Sequence, residues 1–427
     1  MTGGTGDTGR LSSAILIFYL LFVFGSAFSR AFSQIALGIA LVLFMIVAVQ
    51  QKYNPFSTSI RWFYILAGCY IGWLLLSGLM SRAPLSSIYF TRKEWLFAAV
   101  PVGVFLMQSH KNREWLVWAL AIGISIVSLY AVSQYITGWD WLNFANNHFV
   151  PKRIDTVSGN FSRPNTFAGF FSVAAMFLLA YAVYPEHKWD SSRKWLVAIS
   201  ILAMVSTLLS FRRGPVIYLI ISLLVMALLK GGRIRGFAAA LAILLALMTA
   251  VVPSLRERFS LPTPTEEAED YQGSRPFIWN HSLTLVAENP LFGVGNGIFI
   301  EAYREIVQRD TGVDLPWWWR HGQAHNDFLN TAAIGGLPCL AAFAGIWFFV
   351  LRKFARGIRE KQFAADQRRV QFAALLGSIL FLLTSLTVSS FADEETHELI
   401  MFIWAFGLAT WYNRGSEKPE LVTHLKA

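Results

Sequence analysis

The stretch WWWRHGQAHNDFLNTAAIGG, residues 317–336, is the last polar sequence before the chain returns to long apolar segments. It holds three tryptophans, an arginine and two histidines at a position where a membrane surface would lie. Tryptophan is enriched at membrane–water interfaces because its ring is apolar while its N–H needs a polar partner. Since apolar segments surround this stretch, polar chemistry has to be collected at a water-facing edge of this kind.

The composition is that of an integral membrane protein. Of the 427 residues, 55% are hydrophobic and 15% are charged, whereas about a quarter of the residues of a soluble domain are charged. Apolar runs of roughly 17 to 25 residues recur along the chain, and each is long enough to cross a hydrocarbon core of about 30 Å as a helix. We therefore predict an all-α polytopic membrane protein.

The apolar runs predict twelve spans, with edges defined to within several residues. They cover residues 12–28, 33–50, 62–81, 95–108, 115–136, 165–184, 195–210, 215–230, 237–252, 333–351, 371–391 and 399–413. The first ten residues are polar with a single positive charge, and the apolar segment that follows them lacks a small-residue cleavage site, so we expect the first span to be retained. Cys69 and Cys339 fall in apolar runs, which predicts packing roles and no disulfide.

These spans divide the chain into three parts. Residues 1–252 hold the first nine spans, residues 253–332 form a long loop with short helices, and residues 333–427 hold the last three spans and the C-terminal tail. Short cytoplasmic loops are rich in Lys and Arg. The loop before the eleventh span carries seven such residues, namely Arg352, Lys353, Arg356, Arg359, Lys361, Arg368 and Arg369. This pattern places both termini in the cytoplasm and the long loop on the opposite, outer side.

Positive charge also occurs in the outer loops, where the same rule predicts little of it. Arg212 and Arg213 lie in the short turn SFRRGP, in which Gly214 and Pro215 close the turn and restart a helix. The other outer groups are Arg82, Arg92 and Lys93, and Lys152, Arg153 and Arg163. One interpretation is headgroup contact by basic residues at span ends, and the other is the binding of a lipid that carries phosphates.

The long outer loop begins with an acidic patch, PTPTEEAED, which is predicted to be disordered, and two helices are predicted after it. Ser274 is a suitable N-cap, and RPFIWNHSLTLVAE carries apolar residues at helical spacing until Asn289 and Pro290 end the helix. A second helix is expected at residues 298–309, after the glycine-rich turn FGVGNG. Arg275 would then lie beside unpaired N–H groups at a helix N-terminus, where it and Arg213 could together hold a diphosphate.

His325 is the residue of the opening stretch that best fits acid–base chemistry. A neutral imidazole can take a proton from a sugar hydroxyl, although a histidine here could also cap or hydrogen-bond the start of a helix. His321 with His325 could suggest zinc, but no third ligand is evident nearby, so no metal is expected. The run DEETHE, residues 393–398, is interpreted as a solvated turn; the alternatives are repulsion that steers anionic groups toward the arginines, or ion pairs with those arginines.

At SFRRGP, SRPFIW, PLFGVGNGIF and HNDFLNTAAIGG the chain resembles the O-antigen polymerase and ligase superfamily of bacterial envelope enzymes, and the order of the motifs matches too. In that superfamily a His is followed by Asn, Ser or Gln and, after nine intervening residues, by a Gly. His325, Asn326 and Gly336 match this spacing. Three residues after this glycine, the superfamily has a second position with a small residue or a tyrosine. In this chain that position is Cys339, which departs from the superfamily's pattern. The segment FSRPNTFAGF, residues 161–170, is also similar to the superfamily's Arg-Pro-Asn segment.

The resemblance implies a GT-C-like glycosyltransferase that uses an undecaprenyl-diphosphate-linked glycan without cofactor, nucleotide or metal. It assigns His325 as the catalytic histidine, Arg213 as the arginine of the turn, and Arg275 as the arginine that opens the loop helix. Arg212 is an alternative to Arg213, because the turn reads Arg-Arg-Gly. Substrate contacts are predicted at Arg82, Arg92, Arg153 and Arg163, with Asn326 and His321 in supporting roles.

The function predicted from these features is that of an O-antigen ligase in the bacterial inner membrane. It would transfer the glycan to the lipid A-core on the periplasmic face, with inversion at the anomeric centre. An O-antigen polymerase and a protein O-oligosaccharyltransferase remain open, because nothing in the residues identifies the acceptor. A lipid-linked glycan transporter would carry charges in mid-span and a two-fold repeat, which the sequence lacks. Membrane lipids are expected partners, and nucleic acid is not.

Overall fold

Helices form nearly all of the structured chain, as the sequence predicts. The computed structural model describes residues 4–56, 59–142, 152–154, 156–184, 190–251, 256, 274–312, 314–315 and 322–412. Its α-helices, in chain order, are α1 (Gly4–Ser26), α2 (Arg30–Gln50), α3 (Arg61–Met80), α4 (Pro84–Thr91), α5 (Ala99–Leu106), α6 (His110–Thr137), α7 (Pro164–Val183), α8 (Ser191–Leu209), α9 (Arg213–Leu229), α10 (Gly232–Val251), α11 (Arg275–Glu288), α12 (Phe299–Thr311), α13 (Asp327–Arg359), α14 (Ala365–Ser385) and α15 (Glu394–Tyr412). Two 3₁₀ helices, Arg92–Ala98 and Ser390–Ala392, and a two-strand ribbon, β1 (Trp139–Asp140) with β2 (Lys152–Arg153), complete it.

Within the described residues, nine helices are long and apolar enough to cross a membrane, namely α1, α2, α3, α6, α7, α8, α10, α13 and α14. A spanning helix satisfies its own backbone hydrogen bonds, which lipid cannot do. These helices confirm an all-α polytopic membrane protein. The other three predicted spans coincide with the 17-residue α9, with α15, and with α5 and the 3₁₀ helix before it. The number twelve stays a prediction.

The centre of the bundle is formed by α7, α14 and α15. Every residue of α7 from Thr166 to Val183 is buried, because α6, α8, α9, α14 and α15 all pack against it. Glycines let these helices approach closely. A Cβ on Gly377 would lie 3.1 Å from Ile403 and 3.3 Å from Phe177, so a larger residue would push the three central helices apart. The outer helices pack around this centre.

The helices of the long loop begin and end close to their predicted positions. The Ser274 side chain accepts a hydrogen bond from the Phe277 N–H, and α11 then runs to Glu288. The second loop helix covers Phe299–Thr311 instead of residues 298–309. The predictions for the acidic patch at residues 262–270, for Trp317 to Trp319 and for His321 fall outside the described residues.

The glycine-rich turn fills a break in α13. Gly336 has φ +76° and ψ 178°, which interrupts the helix and leaves the carbonyls before it without helical partners. Backbone N–H groups of the turn bind there, from Val294 to Ala333 (2.8 Å) and from Gly295 to Ile334 (3.0 Å). A Cβ on Gly336 would collide with the Leu291 carbonyl. Glycine is therefore needed at this position for both its backbone angle and its lack of volume.

The cysteines differ in environment. Both are free, as predicted, and Cys339 is buried against α3 with its thiol near the Tyr70 carbonyl. Cys69 is exposed on the surface of α3, so its predicted packing role is wrong. The reason is the helical period: Cys69 lies one residue from buried Tyr70 and therefore on a different face of the helix.

Candidate active site

The turn between α8 and α9 presents two adjacent arginines. Phe211 has φ +54°, so the chain turns through a left-handed residue before Arg212 and before Arg213, the first residue of α9. Pro215 lies in the first turn of α9, as predicted. A non-glycine residue in this conformation costs about 1–2 kcal/mol, and such residues cluster at functional sites. Arg213 is exposed and Arg212 is partly buried.

His325 has the same unusual backbone, with φ +51°, directly before α13. The residues next to it fix its position. The Ala324 N–H donates to the Asn330 side chain (3.2 Å), and Asn326 caps α13 by accepting from the Leu329 N–H (3.0 Å). Asn326, not His325, is therefore the helix cap. The imidazole is half-buried, at a site where a strained backbone is held from both sides.

Residues 386–387, just after α14, connect these two turns. The Asn326 side chain donates to the Leu386 carbonyl at 3.1 Å. The Thr387 hydroxyl hydrogen-bonds to the Tyr218 hydroxyl at 2.7 Å, and a Cβ on Gly214 would lie 3.7 Å from that Thr387 oxygen. The segment of His325 thus contacts Leu386, and the segment of Arg213 contacts the adjacent Thr387.

Arg275 joins this group through Tyr218. It is the first residue of α11 and is partly buried. Burial lowers the pKa of the Arg275 guanidinium, and the neighbouring Tyr218 acts in the opposite direction. Arginine remains charged at neutral pH in spite of such a shift. Tyr218, which contacts Thr387, is therefore also near enough to the start of α11 to act on the charge of Arg275.

Among the described residues, no acid pairs with Arg213 or with Arg275. Within the described part of the chain, neither forms a salt bridge. Each lies at the first residue of a helix, where the backbone adds partial positive charge. A cation at a helix N-terminus favours the binding of an anion with several oxygens.

The interpretation of residues 393–398 as a solvated turn is wrong. Glu398 is fully buried and accepts from the Ser33 hydroxyl (2.6 Å), and Glu394 accepts from Gln34 (2.8 Å) and pairs with Arg30 (3.4 Å). These acids open α15, and the packing of α15 against α1, α5 and α7 removes them from water. An acidic run in a short loop looks solvated in sequence because its partners lie far away in the chain.

Asp393 links this acidic run to the predicted cations. Its carboxylate accepts from the Thr166 hydroxyl at 2.8 Å, and the Lys93 ammonium donates to the adjacent Ala392 carbonyl at 3.2 Å. Burial raises the pKa of Asp393, while Thr166 and the charges of Arg163, Lys93 and Arg30 oppose that rise. Arg163, an exposed residue just before α7, is therefore in electrostatic reach of Asp393.

Asp327 is a residue of this region that the sequence analysis missed. It is only 2% exposed, and both of its carboxylate oxygens accept from the Phe391 N–H, at 3.1 and 2.9 Å. It ties the start of α13, two residues after His325, to the segment 386–398. An acid in the first turn of a helix was the available signal. Tyr218 and Thr387 were also missed, since each lies in or beside an apolar run.

Three of the arginines that are predicted to contact substrate lie beside other residues of the protein. Arg82 pairs with Glu305 at 2.6 Å, with both side chains exposed, and both residues line a cavity of about 280 Å³ against α11 and α12. Arg92 stacks on the Tyr89 ring at 3.6 Å. Arg153 lies in β2, opposite Trp139. Phosphate binding by these arginines stays a prediction.

The comparison with known families supports the motif assignment. Residues 164–344 match the family described as O-antigen ligase, and this range begins at the first residue of α7 and ends within α13. It contains Arg213, Arg275 and His325, and it stops before the segment 386–398. No curated protein matched the chain. The family indicates a multi-pass membrane enzyme of the ligase or polymerase type. The similarity to this O-antigen ligase family covers residues 164–344, which are fewer than half of the chain.

Proposed function

We propose that this protein is an O-antigen ligase that moves a glycan from undecaprenyl diphosphate to the lipid A-core. The reaction would take place on the periplasmic face of the bacterial inner membrane, with both termini in the cytoplasm. One observation supports the proposal: the adjacent residues Leu386 and Thr387 bind Asn326, next to His325, and Tyr218, in the helix that Arg213 opens.

The diphosphate of the donor would bind to Arg213 and Arg275. Its negative oxygens would replace the carboxylate partners that these arginines lack among the described residues. Guanidinium groups bind phosphate oxygens through paired hydrogen bonds, and the first turns of α9 and α11 add backbone partial charge. Arg212, which is partly buried beside Arg213, would support the turn or share this contact.

His325 would act as the general base. Its neutral imidazole takes the proton of an acceptor hydroxyl, and the oxygen forms a bond to the anomeric carbon of the donor sugar. The bond from that carbon to the diphosphate oxygen breaks, and undecaprenyl diphosphate leaves with the electron pair. Direct displacement inverts the anomeric centre. Removal of one group that stabilises the growing charge typically lowers the rate by about 10²–10³.

The buried polar contacts would hold this arrangement in place. Asn326 and Asp327 bind the segment 386–398 through Leu386 and Phe391, so the backbone around His325 is fixed from outside its own helix. A base must lie within hydrogen-bond reach of the proton that it removes. We therefore assign Asn326 to the positioning of His325 instead of to direct substrate contact.

The acceptor separates this proposal from its alternatives. A polymerase would extend the glycan on its own lipid carrier, and a protein O-oligosaccharyltransferase would modify a hydroxyl of a protein. A transporter would use the same cations without forming a new bond. The match of residues 164–344 to the O-antigen ligase family favours glycan transfer over transport.

Reconstitution tests the proposal directly. Purified lipid-linked glycan and lipid A-core are combined with wild-type protein, His325→Ala and Arg275→Ala, without added metal or nucleotide. Arg309→Ala is the matched control, because Arg309 lies on α12 and is exposed and paired with Glu288. We expect transfer to the core by wild type and by the control only. Elongation on the carrier without transfer to the core would instead assign a polymerase.

A further inference from the structure

An apolar groove lies at the end of α13 that is far from His325. It has a volume of about 380 Å³ and lies between α3 and α13. Its lining residues are Trp62, Leu66, Gly345, Phe348, Phe349, Arg352, Lys353 and Arg356. From Gly336 to Arg352 alone, the rise of a helix amounts to roughly 24 Å. The groove is therefore separate from the site of the proposed function.

The walls of the groove are suited to an acyl chain. Phe348 is 66% exposed and Trp62 is 53% exposed, and both lie on helices that meet the criteria for membrane spans. A Cβ on Gly345 would lie 3.1 Å from Leu66, so α3 and α13 approach closely at this glycine. Exposed aromatic rings on a spanning helix contact lipid chains, which cover apolar surface without ordering water.

The cations of the groove lie beside these rings. The Arg352 guanidinium lies 5.9 Å from the Phe348 ring, and the Lys353 ammonium lies 4.2 Å from the Trp411 ring. Arg356 pairs with Glu360 at 3.7 Å. In the described part of the chain, Arg352 and Lys353 form no salt bridge. The groove thus carries three cations against one carboxylate.

We propose that this groove binds one anionic glycerophospholipid. Its phosphate would lie between Arg352 and Lys353, and one acyl chain would follow Phe348 and Trp62. Basic pockets between spanning helices are known to bind such headgroups, and each Lys or Arg near a membrane surface strengthens the attraction. A free phosphate would gain the charge contacts and nothing from the aromatic walls. The combination of both surfaces therefore selects a lipid.

The test measures the binding of dioleoylphosphatidylglycerol and of dioleoylphosphatidylcholine to the full-length protein in detergent, by native mass spectrometry. The variant is Arg352→Gln with Lys353→Gln. The matched control is Arg359→Gln with Lys361→Gln, which makes the same change in net charge on exposed residues outside the groove. Melting temperatures show that all three proteins are folded.

We expect phosphatidylglycerol to bind wild type and control alike, and the groove variant about 30-fold more weakly, from two surface charges. Phosphatidylcholine should bind all three proteins weakly, and inorganic phosphate should not displace the bound lipid. Equal binding of the two lipids, or equal losses in the variant and the control, would overturn the proposal. A Phe348→Ala variant with unchanged affinity would also contradict it, since the acyl chain would then lie elsewhere.

Discussion

The two ends of the central helices both carry arginines, but these arginines differ in whether an acid lies beside them. At one end, Arg113, Arg369, Asp366, Glu114 and Tyr181 form a closed ion cluster, with Arg113 at 2.6 Å from Asp366 and Arg369 at 2.8 Å from the same carboxylate. At the other end, Arg213 and Arg275 have no acid partner among the described residues. The helices α7 and α14 connect the two ends, since α7 runs from Thr166, which binds Asp393, to Tyr181.

The difference separates structural charge from binding charge. In the ion cluster, Tyr181 donates to Glu114 at 2.7 Å and accepts from Arg369 at 2.7 Å, so each charged group has several partners. His110, Glu114 and Asp366 lie close enough to ligate a metal ion, but Arg113 and Arg369 already occupy the carboxylates. An arginine without such partners is available to a ligand. The proposed chemistry is therefore assigned to the end that contains Arg213 and Arg275.

The largest effect is expected at His325. His325→Ala should lower the rate of glycan transfer by up to about 10⁴, because the general base is lost. The rate of product formation in the reconstituted reaction measures this. His325→Gly should be measured beside it, because glycine adopts the left-handed backbone of this position without strain and so keeps the turn intact. Activity near that of wild type in either variant would remove His325 from the mechanism.

Asp366→Asn probes the closed end of the comparison. The substitution removes the negative charge that pairs with the buried guanidinium groups of Arg113 and Arg369. Loss of one partner of a buried ion pair costs about 3–5 kcal/mol of stability. A large fall in melting temperature in detergent is expected, with the rate per folded molecule unchanged. If transfer fell while the melting temperature stayed constant, the ion cluster would belong to the chemistry and the comparison would fail.

Arg275→Ala tests the end without acid partners, where we expect a loss of activity and little loss of stability. The transfer rate should fall by about 10², as for the loss of one group that stabilises leaving-group charge. The melting temperature should change little, because Arg275 forms no salt bridge with any residue that the structure describes. Arg275→Lys should recover part of the rate, since it keeps the charge without the paired hydrogen bonds. A drop in stability as large as that of Asp366→Asn would show that Arg275 is a structural residue instead.

The smallest expected effect concerns the pH dependence of stability at Asp393. Burial raises the pKa of this carboxyl in the folded protein, so its contribution is fully present in acid and is lost as the pH rises through the folded pKa. Asp393→Asn should therefore flatten the fall in melting temperature above about pH 4. Parallel curves for the variant and the wild type would contradict this assignment of Asp393.

Much of the local structure could be predicted from the sequence. The twelve apolar runs all coincide with helices, and Ser274 and Pro276 mark the start of α11 correctly. Hydropathy and helix capping depend on residues within one or two turns, so a single sequence contains them. The choice of His325, Arg213 and Arg275 came from motifs that resemble a family, and the family match supports the resemblance without testing their roles.

The sequence by itself determined the all-α membrane fold and the ends of many helices, because those follow from local hydropathy and caps. Only the tertiary structure decided which charges are paired. The bond between Tyr218 and Thr387 joins residues 169 positions apart, and burial of Glu398 depends on Ser33 from α2. Such contacts arise when packed helices bring distant segments together, and a charge is structural or available according to what then lies beside it.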